Sequence, residues 1–415
     1  MRILHTSDWH LGQQFIGKSR EAEHHAFFKW LISQIIELQV DVLLVAGDIF
    51  DTATPPSYAK ALYHQLIVDL QPTRCHVVLL GGNHDSVAVL NESANLLGCL
   101  NTDVVPGYWQ EQAKHLLPLK NKAGEQKLWL LALPFLRARD LSVLTTAQSS
   151  AGQTALEKQQ QLQQQIAQVY QQLFVLARET NAQFPIVATG HLTTVGASRS
   201  ESEREIYIGN LDAFPAQAFP PVDYLALGHI HQGQKVAGSD YLRYCGSPIA
   251  LSFDEVRQQK QVLLLEFAED AVHPCSPLVQ SIAVPCFQPL LSLTTDLASL
   301  PAMLTTACAN ISGEQSLWLE LVLSGEDALL TDISLPLQQL LADFPVELLR
   351  LRKARPVGAS HSLTQAAPDL QTLTPAEVLS ARFADEDLSE QLSMRLAILH
   401  DQALEQVQTD SGETA

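Results

Sequence analysis

The chain has 415 residues, 46% of them hydrophobic, and a formal net charge of −19. That length exceeds one simple core and sets an expectation of two or three domains, while the acidity disfavours a chain that grips nucleic acid by charge alone. No run of about 18 apolar residues and no secretory leader pattern is present, so a soluble cytoplasmic protein with no membrane partner is expected.

From Met1 to about Phe267, strand-like apolar runs alternate with helical patterns, the signature of an α/β domain taken as residues 1–270. Arg2 to His5 reads as the first strand and leads into Asp8-Trp9-His10. Glu21 to Leu38 places Phe27, Trp30, Leu31, Ile35 and Leu38 at helical spacing. Val42 to Ala46 is the next strand, followed by Gly47-Asp48-Ile49-Phe50-Asp51, and Ser57 to Leu70 begins a helix just after Pro55-Pro56. His76 to Leu80 runs into Gly82-Asn83-His84-Asp85. Ala155 to Thr180 is rich in glutamine, yet Leu156, Ile166, Tyr170, Leu173 and Phe174 keep an apolar period, which predicts a surface helix. Pro185 to Thr189 and Tyr224 to Leu227 are strands that end in Gly190-His191 and Gly228-His229-Ile230-His231. Tyr241 to Cys245 and Gln261 to Phe267 read as further strands, with Gly246-Ser247-Pro248 as a tight loop between them.

The prolines between Val272 and Pro289 mark a linker. Beyond it, strands at Phe287 to Leu293, Leu317 to Leu323 and Val346 to Leu351 alternate with helices near Leu297 to Ala309 and Leu329 to Leu341. They form a small α+β domain over 284–358, without recognisable chemistry. Its basic cluster, Arg350, Arg352, Lys353 and Arg355, fits a DNA contact or a solvated strand end equally. Two short helices follow over 370–408, the first opening at Thr374-Pro375-Ala376-Glu377. From His361 to Ala415 there are ten acidic residues against two arginines, so the net negative charge is concentrated in this tail. Short helices rarely fold alone, and these are expected to dock on a partner's helix or coiled coil, with docking back on the chain's own second domain as the alternative. The six cysteines are scattered without a Cys-x-x-Cys pair, the pattern of buried reduced thiols.

Five of these strands end in residues that suit metals. Divalent ions that hold phosphate oxygens want carboxylate, amide and imidazole ligands, and two ions need a bridging carboxylate. In one parallel sheet the strand ends share an edge, which would bring these segments into one crevice. Asp8 and His10, two apart, would face one ion from an extended strand end. Asp48 follows a buried strand, Asn83 adds a neutral oxygen, and His191, His229 and His231 complete the set, the last two alternating on one strand face. His5, His24, His25, His64 and His76 belong to no such pattern and receive no role. Each fragment alone is weak. All five in this order describe a two-metal phosphoesterase site.

The flanking text sharpens this: MRILHTSDWHLG at 1–12, PPSYA at 55–59, GHLTTVGAS at 190–198, IYIGNLDAFP at 206–215 and GSP at 246–248. With these, the ordered motifs resemble the calcineurin-like metallophosphoesterase family, in its branch of DNA nuclease subunits. The resemblance covers nearly all of the first domain, whereas the second domain and tail match in layout more than in residues. It implies a metallophosphoesterase β-sandwich flanked by helices, with a small α+β capping domain and a C-terminal helical tail.

The resemblance also implies two Mn²⁺, with Mg²⁺ as a possible substitute, roughly 3.5 to 4 Å apart. One would be held by Asp8, His10, Asp48 and His231, the other by Asp48, Asn83, His191 and His229. His84 would protonate or protect the phosphate and leaving oxygen, and Asp85 would orient that imidazole. Asp51 stands where some relatives carry a histidine, which makes it a minor substrate-binding candidate. Lys18 and Arg20, in the loop Gly12 to Arg20, are candidates for the DNA backbone or are simply solvated.

The implied activity is 3'-5' exonuclease action on duplex ends and endonuclease action on single strands and hairpins, in replication, recombination and repair. The implied partner is an SbcC-type SMC-like ABC ATPase, two of each chain, whose coiled coil would receive the tail. ATP would bind that partner, this chain being read as without a Gly-x-x-x-x-Gly-Lys-Ser/Thr loop, so no nucleotide is expected on it. A stand-alone metallophosphatase or small-molecule phosphodiesterase is the alternative that the site motifs alone leave open.

Overall fold

The structure is a computed structural model, and it describes residues 1–137, 140–141, 154–198, 200, 202–203, 213–309, 311, 315–325, 333–354 and 395. The helical segment expected over 370–408 lies outside the described residues apart from Arg395. The strands in chain order are β1 Arg2–Thr6, β2 Gln14–Phe15, β3 Lys18–Ser19, β4 Val42–Val45, β5 His76–Leu80, β6 Thr102–Val105, β7 Leu116–Lys120, β8 Gln126–Leu131 and β9 Ile186–His191. They continue as β10 Tyr224–Gly228, β11 Gln234–Lys235, β12 Leu242–Tyr244, β13 Gln261–Glu266, β14 Leu278–Ala283, β15 Leu290–Thr295, β16 Leu317–Leu323 and β17 Val346–Lys353.

Two six-stranded sheets make the first domain. One has the order β14-β13-β1-β4-β5-β6 and the other β11-β12-β10-β9-β8-β7. The central strands β1, β4, β5 and β6 run parallel, as do β8, β9, β10 and β12, with antiparallel strands at the margins. The five strands that lead into the candidate ligands are therefore split, β1, β4 and β5 in one sheet and β9 and β10 in the other. This corrects the expectation of a single shared sheet edge.

The continuous apolar runs follow from burial on both faces. Successive residues point to opposite sides of a strand, so Ile3, Val42, Leu44, Val78, Val187, Tyr224 and Ala226 fill the space between the sheets. Their neighbours Leu4, Leu43, Val45, Val77 and Leu79 face outward onto helices α1 Glu21–Glu37 and α2 Ser57–Leu70, through Phe27, Phe28, Leu31, Leu62 and Leu66. On the other side Ile186, Ala188, Leu225 and Leu227 meet Ile166, Val169, Tyr170 and Leu173 of the helix Ala155–Thr180. A Thr154–Glu157 capping box starts that helix. The result is a helix–sheet–sheet–helix sandwich.

β14 occupies part of the stretch read as a linker. It pairs antiparallel with β13 at the sheet margin, and its exposed alternation (Leu278 is 63% exposed) left no buried run in the sequence. In the second domain β15, β16 and β17 form a parallel three-stranded sheet. The helices Leu300–Cys308 and Ser334–Leu341 cover one face, packing Leu300, Leu304 and Leu337 on Leu319, Leu321 and Leu323. The other face meets the first domain: Trp318 stacks on Phe15 at 5.8 Å, and Phe15 packs edge-on against Phe253.

Among the described residues no helix is long and apolar enough to cross a membrane. The cysteines are unpaired, with Cys75 and Cys245 buried and Cys99 and Cys286 exposed.

Candidate metal centre

The loops after β1, β4, β5, β9 and β10 meet at one end of the sandwich, held together by backbone hydrogen bonds. Asp8 N donates to Gly47 O at 3.0 Å, His10 N to Asp48 O at 3.1 Å and Leu11 N to Ile49 O at 2.9 Å, which joins the first two loops. Asp8 also reaches the second sheet, its carboxylate accepting from His229 N at 3.0 and 3.1 Å. Asp48 Oδ1 accepts from His84 N at 2.9 Å, so the third loop is fastened to the second.

Asp8, His10, Asp48 and His229 all adopt positive φ (54°, 47°, 49° and 93°). For these four the expected extended strand ends are absent: they lie just past the strands, in left-handed turns that re-aim their side chains, whereas His191 is the last residue of β9. Such backbone costs about 1–3 kcal/mol per residue and persists where the surroundings fix it. Close approach explains the glycines beside them. A Cβ on Gly82 would lie 2.1 Å from Asp48 Oδ1, and one on Gly228 would lie 1.9 Å from Ala46 O.

Three groups of buried ligand atoms result: Asp8, His10 and His231; His10, Asp48 and His84; Asp48, His191 and His229. Within each group the atoms lie within 4.8 Å of one another. Asn83 joins the last, its Oδ1 being 2.9 Å from His191 Nε2. His191 Nδ1 lies 2.9 Å from Ala46 O, an acceptor, which fixes Nδ1 as the protonated nitrogen and turns Nε2 toward Asp48 Oδ2 at 3.2 Å. His10 Nδ1 is held by Asp51 Oδ1 at 3.0 Å. Its Nε2 is buried without a hydrogen-bond partner, 3.7 Å from Asp48 Oδ2. An orphaned imidazole nitrogen facing carboxylates, in a mixed oxygen and nitrogen donor set, fits divalent cations.

The electrostatics agree. Burial opposes charge on His191, but the Asp48 carboxylate outweighs it and lifts the imidazole to about 9. The converse holds for Asp48, which burial would raise but which His191, His10 and His84 hold well below the usual carboxylate range. Burial, with Asp48 adding to it, pushes Asp85 up to about 6.

His84, 7% exposed, sits beside this centre with its ring 4.7 Å from that of His10. Its Nδ1 lies 2.6 Å from the Asp51 carbonyl, which does the orienting expected of Asp85. The Asp85 carboxylate instead accepts backbone N–H groups from Gly82, Phe50 and Ile49 at 2.8, 2.9 and 3.1 Å, tying two ligand loops together. Asp51 offers its side chain to His10 rather than to open solvent, being 25% exposed.

Of the two basic candidates, Arg20 is 1% exposed, paired with Glu23 and donating to Ala250 O at 2.8 Å, which takes it out of reach of a DNA backbone. Lys18 is half-exposed and ion-paired with Glu347 of the second domain. Lys18 belongs to a segment whose letters, Gly12-x-x-x-x-Gly17-Lys18-Ser19, match a phosphate-binding loop, which corrects the expectation that this chain has none; Arg20 directly follows it. The structure folds it differently: Gln14–Phe15 pairs antiparallel with Lys18–Ser19 in a hairpin, so Gly17 and Lys18 do not open a helix. The expectation of no nucleotide on this chain loses the ground of missing letters, although the hairpin is not the loop-to-helix turn of a phosphate-binding loop.

Sequence reading missed the residues that hold His231. Glu255 and Ser202 lie 3.2 and 2.6 Å from its Nδ1, and Glu203 accepts from its backbone N at 2.6 Å. The remaining unassigned histidines are accounted for where they are buried: His5 pairs with Tyr224 and His24 with Trp9 O.

Compared with known proteins, residues 1–233 match the calcineurin-like phosphoesterase family, and residues 286–387 match a family described as type 5 capsule protein repressor C-terminal domain. The chain is 46% identical over 398 residues to SbcD of the nuclease SbcCD of Escherichia coli (strain K12), covering 95% of this chain and 96% of that one. It is 35% identical over 403 residues to the SbcD of Rhodobacter capsulatus, covering 92% and 94%. With the SbcD of Bacillus subtilis it shares 30% over 270 residues, covering 64% and 66%.

Proposed function

The chain belongs to the calcineurin-like phosphoesterases and, within them, to the SbcD proteins of SbcCD nucleases; from that premise we propose that it is a metal-dependent nuclease that hydrolyses DNA phosphodiesters using two Mn²⁺, with Mg²⁺ as a substitute. The observation that carries this reading is Asp48, one carboxylate standing in a ligand group with His10 and His84 and in another with His191 and His229. Asp8, His10, Asp48 and His231 would hold one ion, and Asp48, Asn83, His191 and His229 the other. Bound there, the ions supply positive charge to phosphate oxygens and lower the pKa of water for in-line attack.

The chain's own residues do the rest. The Asp51 carbonyl accepts from the Nδ1–H of His84, which sets the plane of the ring and the direction of Nε2. In its charged form that nitrogen donates to a phosphate oxygen or to the departing sugar oxygen. Asp85 keeps the two loops that carry Asp48 and His84 in register.

DNA ends and hairpins are the proposed substrates, with 3'-5' polarity on duplex ends, in end processing during replication, recombination and repair. An SbcC-type SMC-like ABC ATPase is the proposed partner, two of each chain, in the cytoplasm. The names of the relatives, each one component of an SbcCD nuclease, support a two-component complex. The acidic segment 370–408 is the proposed docking element, and the partner would supply much of the grip on DNA that a chain of net charge −19 does not.

The test is Mn²⁺-dependent cleavage of an end-labelled hairpin duplex by the purified chain, with and without the ATPase and ATP, beside a phosphomonoester control. Hairpin cutting that requires Mn²⁺ and rises with the partner is expected. Phosphomonoester turnover with intact DNA under every condition would replace this reading with that of a stand-alone phosphatase.

A further inference from the structure

Behind His231 lies a buried ion pair that the chemistry above does not use. Glu255, fully buried, closes the short turn Phe253–Glu255 and sets Oε1 3.2 Å from His231 Nδ1. Lys260, just before β13, donates from Nζ to Glu255 Oε2 at 2.6 Å, to the main-chain oxygen of His231 at 3.1 Å and to Ser247 Oγ at 2.9 Å. Ser202 Oγ is 2.6 Å from the same His231 nitrogen and also donates to Glu255. One carboxylate and one ammonium thus hold both the side chain and the backbone of a single ligand.

Burying two charges is a poor source of stability, because the loss of hydration offsets most of their attraction. A different use is written in the geometry. A carboxylate on Nδ1 makes that nitrogen the donor, so the other ring nitrogen keeps its lone pair and faces Asp8 and His10. The contact is also remote in sequence, 24 residues from the ligand, and lies outside all five ligand motifs.

Resting on the two-ion reading, we infer that Glu255 is the positioning residue for the ion held by Asp8, His10 and His231. It fixes the tautomer and ring plane of His231, and Lys260 pins Glu255 and the ligand's backbone together. Asn83, His191 and His229 depend on other contacts, so the effect is confined to one of the two ions.

The experiment is calorimetric titration of the full chain with MnCl2, compared with a Glu255→Met/Lys260→Met double variant that removes both charges at similar volume. The double variant is expected to keep the wild-type circular dichroism and to bind one ion as the wild type does, with the other weakened about 10–100-fold. Two ions at wild-type affinity in the folded double variant would overturn the inference. Should that variant not fold, Glu255→Gln takes its place. Its isosteric carboxamide cannot accept from both His231 and Lys260, so selective weakening of one ion supports the role and two intact sites refute it. A wild-type chain that binds fewer than two ions would sink the two-ion reading itself. Two bound ions without DNA cleavage would sink only the nuclease assignment.

Discussion

At the scale of single residues the proposed chemistry gives ion holding to one set of groups and proton handling to another, His84. His84 is tied to Asp51 O through its side chain and to Asp48 through its backbone. His84→Ala is therefore expected to lose about 10²–10⁴-fold in cleavage rate while still binding two ions by calorimetry. Loss of an ion in that variant would make His84 a ligand instead. Gly82 gives a prediction of the opposite kind. Gly82→Ala drives a methyl into the side chain and backbone nitrogen of Asp48, at 2.1 and 2.3 Å, and should weaken both ions together because that carboxylate stands in two ligand groups. A variant that binds both ions normally would show that the two loops can part without consequence.

At the scale of elements, two histidines outside the metal centre contribute to acid stability. His5 in β1 and His24 in α1 are buried, and burial holds each imidazole at about 3. In the unfolded chain they take up protons near 6.5, so their contribution is complete above that pH and is lost as the pH falls toward 3. The slope is at most about 1.4 kcal/mol per pH unit for each group. His24→Gln, which keeps an N–H for Trp9 O, should flatten the fall in unfolding free energy between pH 6.5 and 4, measured with urea. An equally steep fall in the variant would assign it to other groups.

The same elements show what the sequence could reveal. Runs such as Val42–Val45 and Tyr224–Gly228 are apolar throughout because both faces are buried, and they are easily read. β14, with an exposed edge, and β6 and β7, with mixed burial, give no such signal, whereas β8 ends in the buried apolar run 128–131 and was legible. The ligands were legible because each follows a readable strand. Glu255 and Lys260 were not, since they precede β13 and reach His231 only through the fold. Nor could the letters at Gly12 to Ser19 distinguish a phosphate loop from a hairpin.

For the whole molecule, ligands from both sheets make metal binding a property of the closed sandwich. Removing the ions with EDTA should lower the thermal midpoint, with a loss of about 2.7 kcal/mol of stability for each ion present at 100 times its dissociation constant. An unchanged midpoint would mean that the ions bind the unfolded chain equally well. Deleting Leu373 to Ala415 should abolish co-purification with the ATPase and leave both ions bound; retained co-purification would place the docking surface elsewhere.

Asp8 accepts from the backbone of His229, a residue 221 positions later in the chain. During synthesis β1, β4, β5 and β6 can therefore pair while β13, β14 and the second half of the centre do not yet exist. On the proposed reading, a chain ending before His229 lacks a residue of each ion's set and would not cleave DNA. The division of the candidate ligands between two sheets would then act as a safety catch, released only when the last of them leaves the ribosome.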